Sequence, residues 1–356
     1  MVRHPGHSRP APRGGAGALG LTAALLLAPA ALNPVAGAAP LDRAMAFDFL
    51  VQSACLDPGG QPIAGRLPFE PGCERRRPLR ADENLPWRKT DWPGLAHISR
   101  QPEGYMASDA LLGTLEGREA AIQTFDFGGG EAAFGRFDPA SDGGQVAVLA
   151  GGRAELAVTQ DGGHPGQLQW FLSPDCRPGA PAAAGWLIFG AQVPTGSWGE
   201  AVVRLRIAPA ADACPAGFDS SLTRWRRETI PLPVRFHDDP RRREVRIEVI
   251  VSEHFGGPTI PEGNHLERFW YARGLGMVRW ERWEDPARSP RVKERAEWFA
   301  GTGRCLPVAF SERPAPDWEM VDCRTWTNFR RPRGGEVLRS TGWPGRHEPP
   351  RAANPA

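Results

Sequence analysis

After residue 118 apolar and polar residues alternate with a period of two, as they do in strands whose faces meet different surroundings. In Val203-Arg204-Leu205-Arg206-Ile207 and in Val245-Arg246-Ile247-Glu248-Val249-Ile250-Val251 apolar residues take one face and charges mostly the other, which predicts half-buried antiparallel strands. The pattern predicts strands over 121–127, 145–150, 153–159, 167–172, 185–193, 200–208, 230–237, 244–252, 267–271 and 277–284. Turn pairs such as Asp142-Gly143, Gly151-Gly152 and Asp161-Gly162 separate them. A helix is expected only over Pro290–Phe299, where Val292, Ala296 and Phe299 share a face, while residues 42–56 fit either period. About ten strands with one helix define an all-β class, an antiparallel β-sandwich or jelly-roll-like barrel.

The pattern weakens at both ends. Residues 1–38 read as a signal peptide: Arg3, Arg9 and Arg13 precede an apolar run from Ala18 to Ala31, and Ala36-Gly37-Ala38 supplies a small-residue cleavage site. That run of 14 residues is shorter than the roughly 20 that a bilayer span needs. Residues 39–94 are rich in Pro, Arg and Gly and predict an irregular N-terminal extension, residues 95–330 a single β-sandwich domain, and residues 331–356 a disordered tail.

Composition then narrows the function classes. The formal charge is +2 for the whole chain, and removing the signal peptide takes away three arginines and no acid, which leaves −1. A nearly neutral chain lacks the clustered cations that displace counterions from nucleic acid. Lysine occurs only at Lys89 and Lys293, and no Gly-Lys-Ser/Thr follows a glycine-rich loop, so no phosphate-binding loop or other cofactor motif is predicted. Export places the six cysteines in an oxidising compartment, periplasmic or extracellular. Short loops cost least to close, which predicts the sequential pairs Cys55–Cys73, Cys176–Cys214 and Cys305–Cys323. The cysteines contain no C-x-x-C pair of the kind that holds zinc.

Candidate chemistry concentrates between His265 and Glu284, a predicted hairpin in which two aromatic runs flank a five-residue loop with two glycines. Pairing Tyr271 with Met277 and continuing without interruption places Glu267 opposite Glu281, about 5 Å apart between Cβ atoms. Two carboxylates so placed resemble the nucleophile and acid of a retaining glycosidase. The competing expectation is a solvated outer face in which Arg268, Arg279 and Arg282 neutralise both acids. Thirteen tryptophans are many for this length, and Trp270, Trp280 and Trp283 share the hairpin with Arg268 and Arg279. Indole faces stack on sugar rings while guanidinium groups bind polar substituents, so these five residues are the candidate ligand-binding set. Trp280 and Trp283 lie on opposite strand faces, so at most one of them belongs to the core.

Other constellations are weaker. Glu253, His254, His265 and Glu267 crowd one loop region without metal-site spacing; no metal is assigned. Asp138 to Leu149 opens like a calcium loop but lacks acids at its third and twelfth positions. Gly196-Ser197-Trp198-Gly199 falls short of a nucleophile elbow. The expectation is therefore an exported β-sandwich protein that binds a glycan or another cell-envelope component. A glycan hydrolase or lyase using Glu267 and Glu281 is the first alternative, and an envelope structural or assembly factor the second.

Overall fold

The computed structural model describes residues 41–92, 106–126, 142–160, 168–176, 185–209, 214–301 and 312–340. The expected signal peptide lies outside the described residues.

Residues 42–56 resolve into a helix followed by a strand. Asp42 caps helix α1 (Arg43–Leu50), accepting the Met45 N–H at 2.7 Å, and the chain then extends into β1 (Ser53–Cys55). The following segment contributes β2 (Arg76–Pro78), β3 (Asn84–Leu85) and β4 (Arg88–Thr90). Two long strands, β5 (Ala107–Leu115) and β6 (Arg118–Asp126), form a hairpin whose turn, Glu116-Gly117, has positive φ at both residues. β7 (Gly143–Ala150) and β8 (Arg153–Gln160) turn at Gly151-Gly152, again with both φ positive, the geometry that matches strand twist. Then come β9 (Leu168–Leu172), β10 (Trp186–Phe189) and β11 (Gly199–Ala208). The long hairpin of β12 (Asp219–Phe236) and β13 (Asp239–Phe255) follows, then β14 (His265–Ala272) and β15 (Gly276–Glu284). Helix α2 (Arg291–Gly301), β16 (Glu319–Thr325), β17 (Asn328–Arg330) and β18 (Leu338–Arg339) complete the order. No described helix is long and apolar enough to cross a membrane.

The fold is all-β and sandwich-like. Hydrogen-bonded neighbours run β11-β9-β8-β7-β6-β5-β4-β17-β12, and β12 pairs back onto β11, so the circuit closes. A second arm, β13-β14-β15-β16, continues from the other edge of β12. Among the described strands every pairing is antiparallel except β12 with β17. Two prolines explain how β12 serves two partners on one edge. The Arg227 and Arg235 N–H groups donate to Pro194 O and Thr327 O on that edge. Pro231 and Pro233 share the parity of Arg227 and fall between those contacts, where no strand needs a donor.

Both faces of the arm are buried. One packs Ile250, Phe269, Tyr271 and Met277 against Phe171 of the circuit and Ile188 and Phe189 of β10, which pairs with β8 off the circuit, with Phe47 and Leu50 of α1 in the same cluster. The other buries Val249, Val251, Trp270 and Val278 under Leu67, Trp87 and Phe329. The segment expected to be irregular therefore supplies part of a core, and β4 joins the main circuit through β5 and β17. The tail differs from expectation in the residues described: Leu338 is buried and Leu338–Arg339 pair with Leu85 and Asn84. Alternation had no power to find β18, which is two residues long.

Disulfides join Cys55 to Cys73 and Cys176 to Cys214, as their spacing predicts. Cys323 is disulfide-bonded; its expected partner, Cys305, lies outside the described residues.

Candidate functional site

The hairpin register departs from expectation by one residue. Tyr271 pairs with Met277, but a bulge follows, so Trp270 pairs with Arg279, Arg268 with Glu281 and Glu267 with Arg282. The connection is three residues, Arg273-Gly274-Leu275, with Gly274 at φ 73°. Because side chains alternate, the one-residue shift puts Glu267 and Glu281 on opposite faces of the sheet. The facing carboxylate pair of the glycosidase expectation is thus not formed. Glu267 meets the Arg282 guanidinium at 3.1 Å.

On the Glu281 face, cross-strand neighbours form a ladder of alternating charge. Arg224 of β12 binds Glu253 of β13, and the Arg268 Nε of β14 donates to Glu253 Oε1 at 2.6 Å. Arg268 Nη1 then reaches Glu281 Oε2 at 3.2 Å, and Arg279 Nε donates to Glu281 Oε1 at 2.7 Å. Trp283 Nε1 donates to Glu281 Oε2 at 2.8 Å, and Arg279 Nη1 reaches Thr325 Oγ1 of β16 at 2.9 Å. Glu281, Glu253, Arg279 and Arg268 are all buried. Such a chain tolerates burial only because each charge has an opposite partner and its hydrogen bonds are made.

This geometry revises the expected ligand-binding set. Trp270 and Trp283 are 1% and 5% exposed, so neither presents an indole face to a sugar. Trp270 lies between Arg268 and Arg279, 5.4 and 5.6 Å from its ring centroid. Trp280 is half-buried on the opposite face, beneath the Arg324 guanidinium at 4.9 Å. Trp283 is thus the member of the pair that joins a core. Arg268 and Arg279 hold the ladder together and do not form an outer charged face.

The ladder becomes accessible at its β12 end. There Arg224 and Arg226, two apart and therefore on one face of the strand, each place a guanidinium 4.4 Å from the ring centroid of half-buried Trp198. They line a cleft of about 40 Å³, floored by Val251 and Trp270 and bordered by Glu228, Glu312 and Arg313. Arg226 is loosely held: its nearest acids are Glu228 at 3.5 Å and Glu312 at 4.0 Å, and its Nε makes no hydrogen bond. Sequence reading missed Trp198, Arg224 and Arg226. Their signal is the alternation Thr223-Arg224-Trp225-Arg226, which extends the strand predicted from Ile230 back toward the site.

Other reactive groups are sequestered. Ser252 Oγ donates to Ile188 O at 2.5 Å and lies 2.8 Å from His254 Nε2. The serine proton is committed to the carbonyl, so His254 Nε2 donates to Oγ and cannot act as a base toward it. Burial pushes the His254 imidazole down to about 3. Glu253 and His254 point to opposite faces, and no group of three metal-ligating side chains forms among the described residues. Deeper in the fold, Lys89 Nζ donates to Leu275 O at 2.8 Å and to Met277 O at 2.6 Å. Its burial drives the ammonium down to about 7 against the attraction of Asp109. Burial raises Asp91 to about 8, and its Oδ1 accepts the Met106 N–H at 2.7 Å. The calcium-loop-like stretch begins outside the described residues.

Compared with protein-family models, curated proteins and solved structures, the chain matches none.

Proposed function

We propose that this chain is an exported, non-catalytic ligand-binding protein of the cell envelope, and that the Trp198–Arg224–Arg226 cleft receives a glycan. One observation carries the reading: two guanidinium groups stack on one half-buried indole beside the solvent-accessible end of an otherwise closed charge ladder. Guanidinium donors held over an aromatic ring at the rim of a cleft can engage the hydroxyl and acidic groups of a sugar. The ladder supports it by fixing Arg224 through Glu253, so little side-chain freedom is lost when ligand arrives. Hydrolysis has less support. Glu281 accepts from Arg268, Arg279 and Trp283, and Glu267 lies on the other face. The disulfides fit the oxidising compartment that export implies.

The test is titration of the purified protein with a panel of cell-envelope oligosaccharides, followed by tryptophan fluorescence and calorimetry. Saturable binding is expected, with at least a tenfold loss in Trp198→Ala. A folded protein that binds no member of the panel would remove the reading, as would turnover of a bound glycan.

A further inference from the structure

We infer that the cleft selects an acidic glycan, one whose sugar carboxylate forms a two-point contact with the Arg226 guanidinium while the ring stacks beside Trp198. The inference rests on the glycan-binding reading and deepens it.

Three features point to a carboxylate. Arg226 keeps donor capacity unused at its terminal nitrogens: Nη2 stands 3.5 Å from Glu228 and 4.0 Å from Glu312 without a close hydrogen bond to either, while Nε is buried away from the cleft opening. A guanidinium held on a ring face with its terminal nitrogens only loosely engaged by Glu228 and Glu312 matches the planar two-oxygen geometry of a carboxylate. The more distant neighbour, Glu312, has a side chain 77% exposed. An exposed native carboxylate already stands at the cleft mouth and can be displaced by one from a ligand.

Charge and size select among anions. Four arginines and three glutamates line the cleft, but Arg268 is shared with Glu281 and Arg313 faces Glu319 at 3.3 Å, so the surroundings are close to balanced and favour the ligand that adds least negative charge, a monoanion. A phosphate dianion would bring a second charge close to Glu228 and Glu312, where like charges repel. A cavity of about 40 Å³ admits a carboxylate while the remainder of the sugar stays at the rim against Trp198.

The experiment compares three probes by calorimetry at fixed ionic strength: a galacturonic acid trisaccharide, the matching neutral galactose trisaccharide, and that neutral trisaccharide phosphorylated at O6. The wild type is expected to bind the uronate at least tenfold more tightly than the neutral sugar and more tightly than the phosphate. In Arg226→Met the uronate-over-neutral ratio falls to near one. Arg226→Lys keeps the charge but loses the planar fork, and its ratio lies between the two. Glu312→Gln, which weakens the competing carboxylate, raises uronate affinity. Near-ultraviolet circular dichroism confirms that each variant is folded, and if the Met variant is not, the Lys and Gln variants carry the test. Equal binding of neutral and acidic sugars by wild type overturns this inference and leaves glycan binding standing. Preference for the phosphate overturns it too. Binding of none of the three, together with failure of the wider panel, removes the underlying reading as well.

Discussion

Replacing Lys89 by Met should make the stability difference between variant and wild type depend on pH between 7 and 10. In the folded protein Lys89 is fully buried, its ammonium is driven down to about 7, and its ordinary value is 10.5. Between those values the unfolded chain holds a proton that the folded chain does not. Wild-type stability therefore gains from this group as pH rises, at a slope near 1.4 kcal/mol per pH unit. From pH 7 to 10 the contribution accumulates to about 4 kcal/mol. Methionine has no such proton, so its advantage over Lys89 is greatest at pH 7 and shrinks steadily toward pH 10. The lost hydrogen bonds to Leu275 O and Met277 O subtract an offset of about 1–2 kcal/mol each that does not vary with pH. Asp91 contributes with the opposite sign, because its folded value is raised to about 8 and its stabilisation is lost as pH climbs through that value. It is common to both proteins and cancels in the difference. The assay is urea unfolding followed by tryptophan fluorescence at four pH values from 7 to 10. The described cysteines include no free thiol to reshuffle disulfides at the alkaline end. A difference that stays level across the range would show that Lys89 remains charged in the folded state, and the argument from burial would fall.

Two further outcomes test packing. Glu281→Gln strips the central carboxylate from between Arg268 and Arg279 and should cost about 3–5 kcal/mol, read as a lower urea midpoint, because it leaves buried guanidinium charge uncompensated. A change below 1 kcal/mol would mean that water reaches the ladder. Gly276→Ala should destabilise by roughly 1–3 kcal/mol. Gly276 sits at φ 69°, and an added Cβ would stand 2.8 Å from the Ala110 Cβ; calorimetric melting measures the loss.

The strands from 118 to 284 were legible because one face of each is consistently apolar over several residues. Alternation in β11 and the outer part of β13 translated directly into half-buried strands. What escaped reading was short or closely packed. β4 carries Arg88, Lys89 and Thr90, three polar residues that look like a surface loop, yet all are buried because Asp109, two backbone carbonyls and Asn328 O receive their donors. Polarity implies exposure only when no partner is available, and these partners lie far away in sequence. The site was half legible: the hairpin holding Arg268, Trp270, Arg279 and Glu281 forms the buried part of the charge ladder. Its register turned on a single bulge beside Tyr271 that leaves no mark in composition. The accessible end of the ladder lies on β12, and only the third dimension joins Arg224 to Glu253.

β12 belongs at once to the closed circuit and to the arm, since β11 and β17 occupy one of its edges and β13 the other. Pulling that strand out would break both assemblies in the same event. The two halves of the sandwich thus share one melting unit, and Arg224 and Arg226 sit on the strand through which that cooperativity passes. A ligand gripping them would stabilise the whole fold, so a rise in melting temperature with added ligand is a direct gauge of occupancy.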